Sequence, residues 1–215
     1  MIHVLQNWQE VNTATLSLQN QNLPTHITIQ KNWDQALLYQ LLMQQGKQSR
    51  ILDLGCGDCC TLNFLAAIGF TNLHGIDLNI KSPAAPIPYQ LHQGDMTKTL
   101  FSNGFFDILT SISVIEHGVN LDAFFQEANR LLKPEGLLFV TTDYWAEKIA
   151  VDESIKPFGL GWQIFSKPEI ATAIAAAQQA GFRLKQNHQI PDCSDKPVSW
   201  YDRDYTFIAL TFQKG

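Results

Sequence analysis

The chain has 215 residues, 45% of them hydrophobic and 16% charged, with a net charge of −5. That is enough chain for one globular domain with a full core. The acidic balance and scattered Lys and Arg exclude the basic stripes that nucleic acids require and the basic patches that anionic membranes attract. Met1 to Glu10 lacks a basic start followed by an apolar core, so no secretory signal is read there, and no apolar run reaches the length of a membrane span. Of the cysteines Cys56, Cys59, Cys60 and Cys193, three crowd one loop. That is a poor disulfide framework, and it points to a reducing compartment, the cytoplasm. Cys56 and Cys59 form a CxxC pair, but no second pair completes a zinc site, so loop packing is preferred to a redox or metal role.

Residues 1–30 are rich in Gln, Asn and Thr and predict an irregular arm or lid with one short helix, ahead of a single domain over 31–215. From Asn32 the spacing of Trp33, Ala36, Leu37 and Leu41 predicts a helix that stops near Gly46. Arg50 to Leu54 then predicts a strand, followed by a glycine loop and a helix over Thr61–Ile68. In Asp53-Leu54-Gly55-Cys56-Gly57 an apolar run ends in an acid and two glycines, the way a parallel sheet presents backbone to a ligand. Leu73 to Asp77 is a second strand, ending in another acid about 20 residues on, where a carboxylate can take ribose hydroxyls. Two acids and a glycine loop at this spacing point to a nucleoside-containing cofactor.

A Pro-rich connection over Ser82–Pro88 leads to a short strand at Tyr89–His92 and then to Gly94-Asp95-Met96. Phe106–Ile112 predicts a strand buried on both sides. Leu121 to Leu132 has helical spacing, Lys133-Pro134-Glu135-Gly136 predicts a turn, and Leu137–Thr142 the fifth strand. Ser166 and Glu169 form a capping box before a helix over Ile170–Ala180, and Phe182–Ile190 and Tyr205–Gln213 complete seven strands. Strands alternating with helices predict an α/β fold, a doubly wound, mostly parallel sheet with helices on both faces. The acids of the segment Pro191–Asp204 lack the spacing of a calcium loop, and no metal is expected.

These motifs together resemble the class I S-adenosylmethionine-dependent methyltransferases, over a stretch running roughly from Trp33 to the end. Asp53–Gly57 is similar to the first motif of that family, Asp77 to the second and Gly94-Asp95-Met96 to the third. Ser111-Ile112-Ser113-Val114-Ile115-Glu116-His117 is similar to the segment after the fourth strand in the small-molecule branch, and Leu131–Gly136 to the turn before the fifth. The resemblance implies a Rossmann-like seven-stranded sheet with an antiparallel last strand, and S-adenosylmethionine as cofactor. It implies that the amides of Gly55, Cys56 and Gly57 hold the methionine carboxylate and that Asp53 accepts from the ammonium or orders the loop. Asp77 would take both ribose hydroxyls, Leu78 would lie on the adenine face (or in the core), Asp95 and the Met96 amide would read the adenine edge, and Ser111 would line the cofactor. Cys59 stands where family members usually have a third glycine; a thiol there crowds the methionine end or forces a different turn, and tolerance rather than loss of the cofactor is expected.

For methyl transfer to a hydroxyl, a base must remove a proton, and His117 at the carboxyl edge of the fourth strand is the candidate. A capping or packing histidine is the competing reading. Asp143, after the fifth strand, is a second base candidate. Phe158-Gly159-Leu160-Gly161-Trp162 has the composition of a mobile cover with two aromatics for a ring, or of a packed surface loop. Trp200-Tyr201, Asp204–Phe207 and Asp143–Lys148 are similar to methyltransferases of sugar and surface-polysaccharide assembly. The expected function is therefore methyl transfer to a small polar acceptor, at an oxygen, with a sugar as one acceptor. The alternative is a non-catalytic module that keeps the fold to hold a protein partner. A nicotinamide-dependent oxidoreductase is disfavoured because Asp53 lies inside the strand. The Gln-rich arm suits either a homodimer contact or closure over the site.

Overall fold

The computed structural model describes residues 1–81, 85–185 and 189–215; part of the Pro-rich connection (82–84) and part of the expected sixth strand (186–188) lie outside the described residues. Its strands are β1 (Ile2–Val4), β2 (Arg50–Leu54), β3 (Asn72–Asp77), β4 (Gln90–Gln93), β5 (Phe106–Ile112), β6 (Leu132–Tyr144), β7 (Phe182–Leu184), β8 (Val198–Trp200) and β9 (Arg203–Lys214). The helices are α1 (Trp8–Asn20), α2 (Lys31–Leu42), α3 (Cys60–Ala67), α4 (Leu121–Leu131) and α5 (Lys167–Gln179). The sheet runs β1-β9-β6-β5-β2-β3-β4. β4, β3, β2, β5 and β6 are parallel, and β9 is antiparallel to β6. The α/β class, the mostly parallel sheet and the reversed last strand are as expected.

Three differences from the expectation have local causes. The first 20 residues are a strand and a helix rather than an irregular arm. β1 pairs with Ile208–Leu210 of β9, and α1 is capped by Asn7, whose side-chain oxygen accepts from the Glu10 N–H at 3.1 Å. Its buried stripe is only Val11, Ala14 and Leu18, too narrow to stand out in a Gln- and Asn-rich composition. The turn expected at residues 133–136 is a bulge inside β6: Phe106 pairs with Leu132, but Ile108 pairs with Leu137, and Glu135 takes φ 62°. β7 is three residues long, because β9 divides its outer edge between β7, at residues 212–214, and β1. With β1 and the short β8 the count among the described residues is nine strands instead of seven.

α1, α2 and α3 pack through Leu18, Trp33 and Phe64 on the sheet face carrying Ile51, Ile108 and Phe139. On the other face α4 and α5, through Phe124, Phe125 and Ile170, cover Leu52, Leu109 and Val140. Both faces are therefore dry, as parallel strands require. The expected capping box is present: the Ser166 N–H donates to Glu169 Oε2 at 2.8 Å. No helix among the described residues is long and apolar enough to cross a membrane. What this architecture leaves open to ligands is the carboxyl edge of the parallel strands, where every chemical motif falls.

Candidate active site

At the end of β2 the Asp53 side chain is 2% exposed and accepts from Thr110 Oγ1 of β5 at 2.6 Å. Burial, partly opposed by that hydrogen bond, pushes its carboxyl up to about 7 from the ordinary 3.8. The loop that follows turns sharply at Gly55, with φ 78°, under the side chain of Val114. A Cβ there would lie 2.5 Å from Val114 Cγ1, so only glycine fits. This packing places Val114, just past β5, against the glycine loop.

The expectation that the amides of Gly55, Cys56 and Gly57 grip a carboxylate is corrected by their partners. The Gly55 and Cys56 N–H groups donate to the Ile76 carbonyl at 2.9 and 3.1 Å, and the Gly57 N–H donates to Asp77 Oδ2 at 2.9 Å. These three amides fasten the loop to β3 and shape the cradle. Cys56 is buried, its thiol against the α-carbon position of Gly75. Cys59 holds φ 65°, the left-handed region that favours glycine, and it carries a strain of roughly 1 kcal/mol. Burial raises the Cys56, Cys59 and Cys60 thiols above their ordinary value, which keeps all three protonated and unreactive at neutral pH.

Asp77 closes β3. Its Oδ1 accepts from the Asn79 N–H at 3.0 Å, so each carboxylate oxygen has one backbone donor and a remaining lone pair. Leu78, 50% exposed, stands beside it, an apolar surface at the edge rather than a core residue. On the neighbouring strand Gly94 N–H donates to the Asp77 carbonyl, which brings Asp95 alongside. Asp95 Oδ1 accepts from the Thr97 N–H and hydroxyl at 2.8 and 2.7 Å, while the Met96 side chain enters the core. The buried Ser111 hydroxyl at the end of β5 has no protein partner. An anionic pair of carboxyl edges, an orphan hydroxyl and a loop without side-chain bulk at Gly57 fit an adenosyl cofactor with a charged methionine end.

The Asp53 carboxyl offers a test. Its folded pKa lies above its unfolded one, so the folded chain holds a proton that the unfolded chain has released, and this stabilisation is lost as pH rises from about 4 to about 7. Asp53→Asn is always neutral and is expected to melt several degrees higher than the wild type at pH 8 and similarly at pH 4. It is also expected to bind S-adenosylhomocysteine at least about tenfold more weakly. Parallel pH dependences of the two melting temperatures would refute this reading of Asp53.

The second half of the edge is aromatic above and acidic below. The backbone turns at Ser113, with φ 52°, and carries Glu116 and His117. The His117 ring meets Phe158 and Trp200 edge-on, with centroids 5.4 and 6.3 Å away. Trp200 and Tyr201 are held by the tight hairpin between β8 and β9, in which Tyr201 and Asp202 both take positive φ. Trp162 stacks edge-on against Trp200 at 5.0 Å, and its Nε1 donates to Asp143 Oδ2 at 2.8 Å. Asp143 at the end of β6 is thus turned inward to hold the aromatic wall. Glu116 accepts from the Thr142 hydroxyl at 2.9 Å. Burial raises Glu116 to about 8 and Asp143 to about 6.

Burial lowers the His117 pKa, so the ring is neutral at neutral pH, and its buried Nδ1 has no hydrogen-bond partner. The structure brings Asp143 together with two residues that the motifs do not mark, Lys31 and Asp34 at the start of α2, and Lys31 also acts on His117. A surface depression of about 310 Å³ lies at the opposite edge, among Asp107, Lys133 and Gln213, away from all of these groups.

Comparison with known proteins agrees with the site. Residues 26–187 match a family described as a methyltransferase domain. A ubiquinone biosynthesis O-methyltransferase of Chelativorans sp. is 29% identical over 121 residues, covering 52% of this chain and 44% of its own length. A sterol 24-C-methyltransferase of Gibberella zeae is 25% identical over 169 residues, covering 71% and 44%. The chain thus spans a little under half the length of these relatives. A crystal structure of an S-adenosylmethionine-dependent methyltransferase from Mesorhizobium loti superposes with a TM-score of 0.61 at 16% identity, covering 86% of this chain and 98% of that one. The glycine loop under Val114, the paired acids Asp53 and Asp77 and the matched family domain lead to one conclusion: the chain belongs to the methyltransferase-domain family.

Proposed function

We propose that the enzyme transfers the methyl group to an oxygen of a small polar acceptor bound under the aromatic wall, with His117 as the base. The observation that carries this reading is the His117 ring, held neutral by burial and set edge-on against Phe158 and Trp200. The sulfonium of S-adenosylmethionine supplies an already activated methyl group. What the chain must supply is alignment, exclusion of water and a place for the acceptor's proton. A hydroxyl proton can pass to the His117 imidazole as the oxygen bonds to carbon. Asp143 itself acts here as the anchor of Trp162 rather than as a base.

Phe158, Trp200 and Tyr201 supply flat apolar surface suited to the face of a ring, including that of a sugar. Asp53, Ser111, Asp77, Leu78 and Asp95 hold the cofactor, and the cytoplasm is the compartment that suits the free thiols of its loop. The relatives named above divide between oxygen and carbon acceptors, and the neutral histidine favours oxygen.

The test is incubation with S-adenosylmethionine labelled in the methyl group and a panel of hydroxyl-bearing sugars, phenols and alcohols, followed by mass spectrometry of the product. A methyl ether is the expected product. A methyl on carbon or nitrogen as the only product would overturn the assignment to oxygen.

A further inference from the structure

Lys31, the first residue of α2, turns its side chain into the site rather than to solvent. Its Nζ donates to the Ser113 hydroxyl, lies 3.4 Å from Asp34 Oδ2 and sits 3.6 Å above the centroid of the Phe207 ring. Only 17% of the side chain is exposed, and Asp34 beside it is 1% exposed. We propose that Lys31 is a positioning residue for methyl transfer, whose ammonium neutralises the buried carboxyl cluster of Asp34, Glu116 and Asp143 and locks the turn bearing His117 against the cofactor loop.

Three elements converge on this one ammonium. From α2 come Lys31 itself and Asp34. From the turn after β5 comes Ser113, held by its N–H to the Thr141 carbonyl at 3.0 Å. From β9 comes Phe207, which pairs with Asp143 of β6. The residue after Ser113 is Val114, the side chain that covers Gly55, so the ammonium is one residue removed from the glycine loop. His117 is three residues further on, its N–H donating to the Val114 carbonyl at 3.0 Å. A swing of this turn would therefore move the base and the cofactor loop together.

Lys31 acts directly on His117. The other titratable groups in this cluster are Asp34 from α2, Glu116 from the His117 turn, Asp143 from β6 and the phenol of Tyr205 from β9, which meets Asp143 and Glu116. His26, on the segment leading into α2, feels both Lys31 and Asp58 of the glycine loop. Lys31 lowers the pKa of Asp34, Glu116, Asp143 and His117 alike. Without it the carboxyls take up protons, and the imidazole keeps its own proton to higher pH. The second change leaves the base charged, and so idle, at a pH where the wild type works. This inference rests on the reading of His117 as base, but its first readout does not need turnover.

The experiment compares wild type, Lys31→Met, Lys31→Arg and Lys31→Ala as full chains, with the His117 ring titrated by NMR and steady-state kinetics measured alongside. Lys31→Met is expected to move the His117 midpoint upward by about half a pH unit or more, and Lys31→Arg to leave it near the wild-type value. In Lys31→Met kcat is expected to fall about tenfold near neutral pH, with its acid limb shifted upward and KM for S-adenosylmethionine within about twofold. Ethylammonium is expected to restore turnover to Lys31→Ala, where sodium does not. An unchanged midpoint in folded Lys31→Met overturns the proposal. Should Lys31→Met not fold, Lys31→Ala carries the test, and equal turnover in ethylammonium and sodium overturns it. If His117→Gln retains its rate, the base reading fails, while the midpoint still reports on Lys31.

Discussion

Replacing Asp77 by alanine is expected to abolish measurable binding of S-adenosylhomocysteine, a loss of about a hundredfold or more. Two effects add. In the proposed reading the carboxylate receives two ribose hydroxyls, and hydrogen bonds to a charged acceptor contribute roughly 1.5–3 kcal/mol each. The same carboxylate also accepts from the Gly57 and Asn79 N–H groups, one on each oxygen. Alanine therefore removes the ribose contacts and unfastens the glycine loop from β3 in a single step. Calorimetric titration of the purified variant checks this, with its melting temperature as the control for folding. Affinity within a few-fold of the wild type would mean that the cofactor is held without Asp77.

For His117→Gln the expected result is the opposite split: turnover falls by about two to three orders of magnitude, and S-adenosylhomocysteine affinity stays within about twofold. Glutamine keeps much of the volume beside Phe158 and Trp200 but cannot take a proton. The wild-type rate is expected to rise with pH through the His117 pKa, because the neutral ring is the active form. Burial holds that pKa below its ordinary 6.5, so the rate should already be near its plateau at neutral pH. Single-turnover rates with the cofactor saturated, measured over pH 5 to 8, separate this from a binding defect. A variant with the wild-type rate and pH profile would remove His117 from the reaction.

The donor half of the site was largely legible in the sequence, because its signals are local. Asp53, Gly55, Gly57 and Asp77 sit at strand ends that their own flanking residues define, and β2, β3 and β5 fall where the apolar runs place them. What the amides do was not legible. That Gly55 and Cys56 donate to Ile76 depends on how β2 and β3 lie side by side. The acceptor half was less visible still. Lys31 and Asp34 look like an ordinary charged pair at a helix start, and only the approach of β6 and β9 buries them. Asp143 was marked by its place after a strand, but its bond to Trp162 joins residues from separate segments of chain. α1 was obscured because Gln, Asn and Thr surround its three buried residues.

β9 pairs with β1, β6, β7 and β8, and a hydrogen bond from Met1 to Thr211 spans 210 residues of chain. The cofactor cradle, by contrast, is made from strands that follow one another between residues 50 and 112. Short loops close quickly and long ones slowly, so the cradle can assemble before the wall that carries Trp200, Tyr205 and Phe207. Donor recognition and acceptor recognition are thus separate acts of folding. Changes to the late-closing wall can redirect the methyl group to a new molecule while the early-formed cradle goes on holding the same donor.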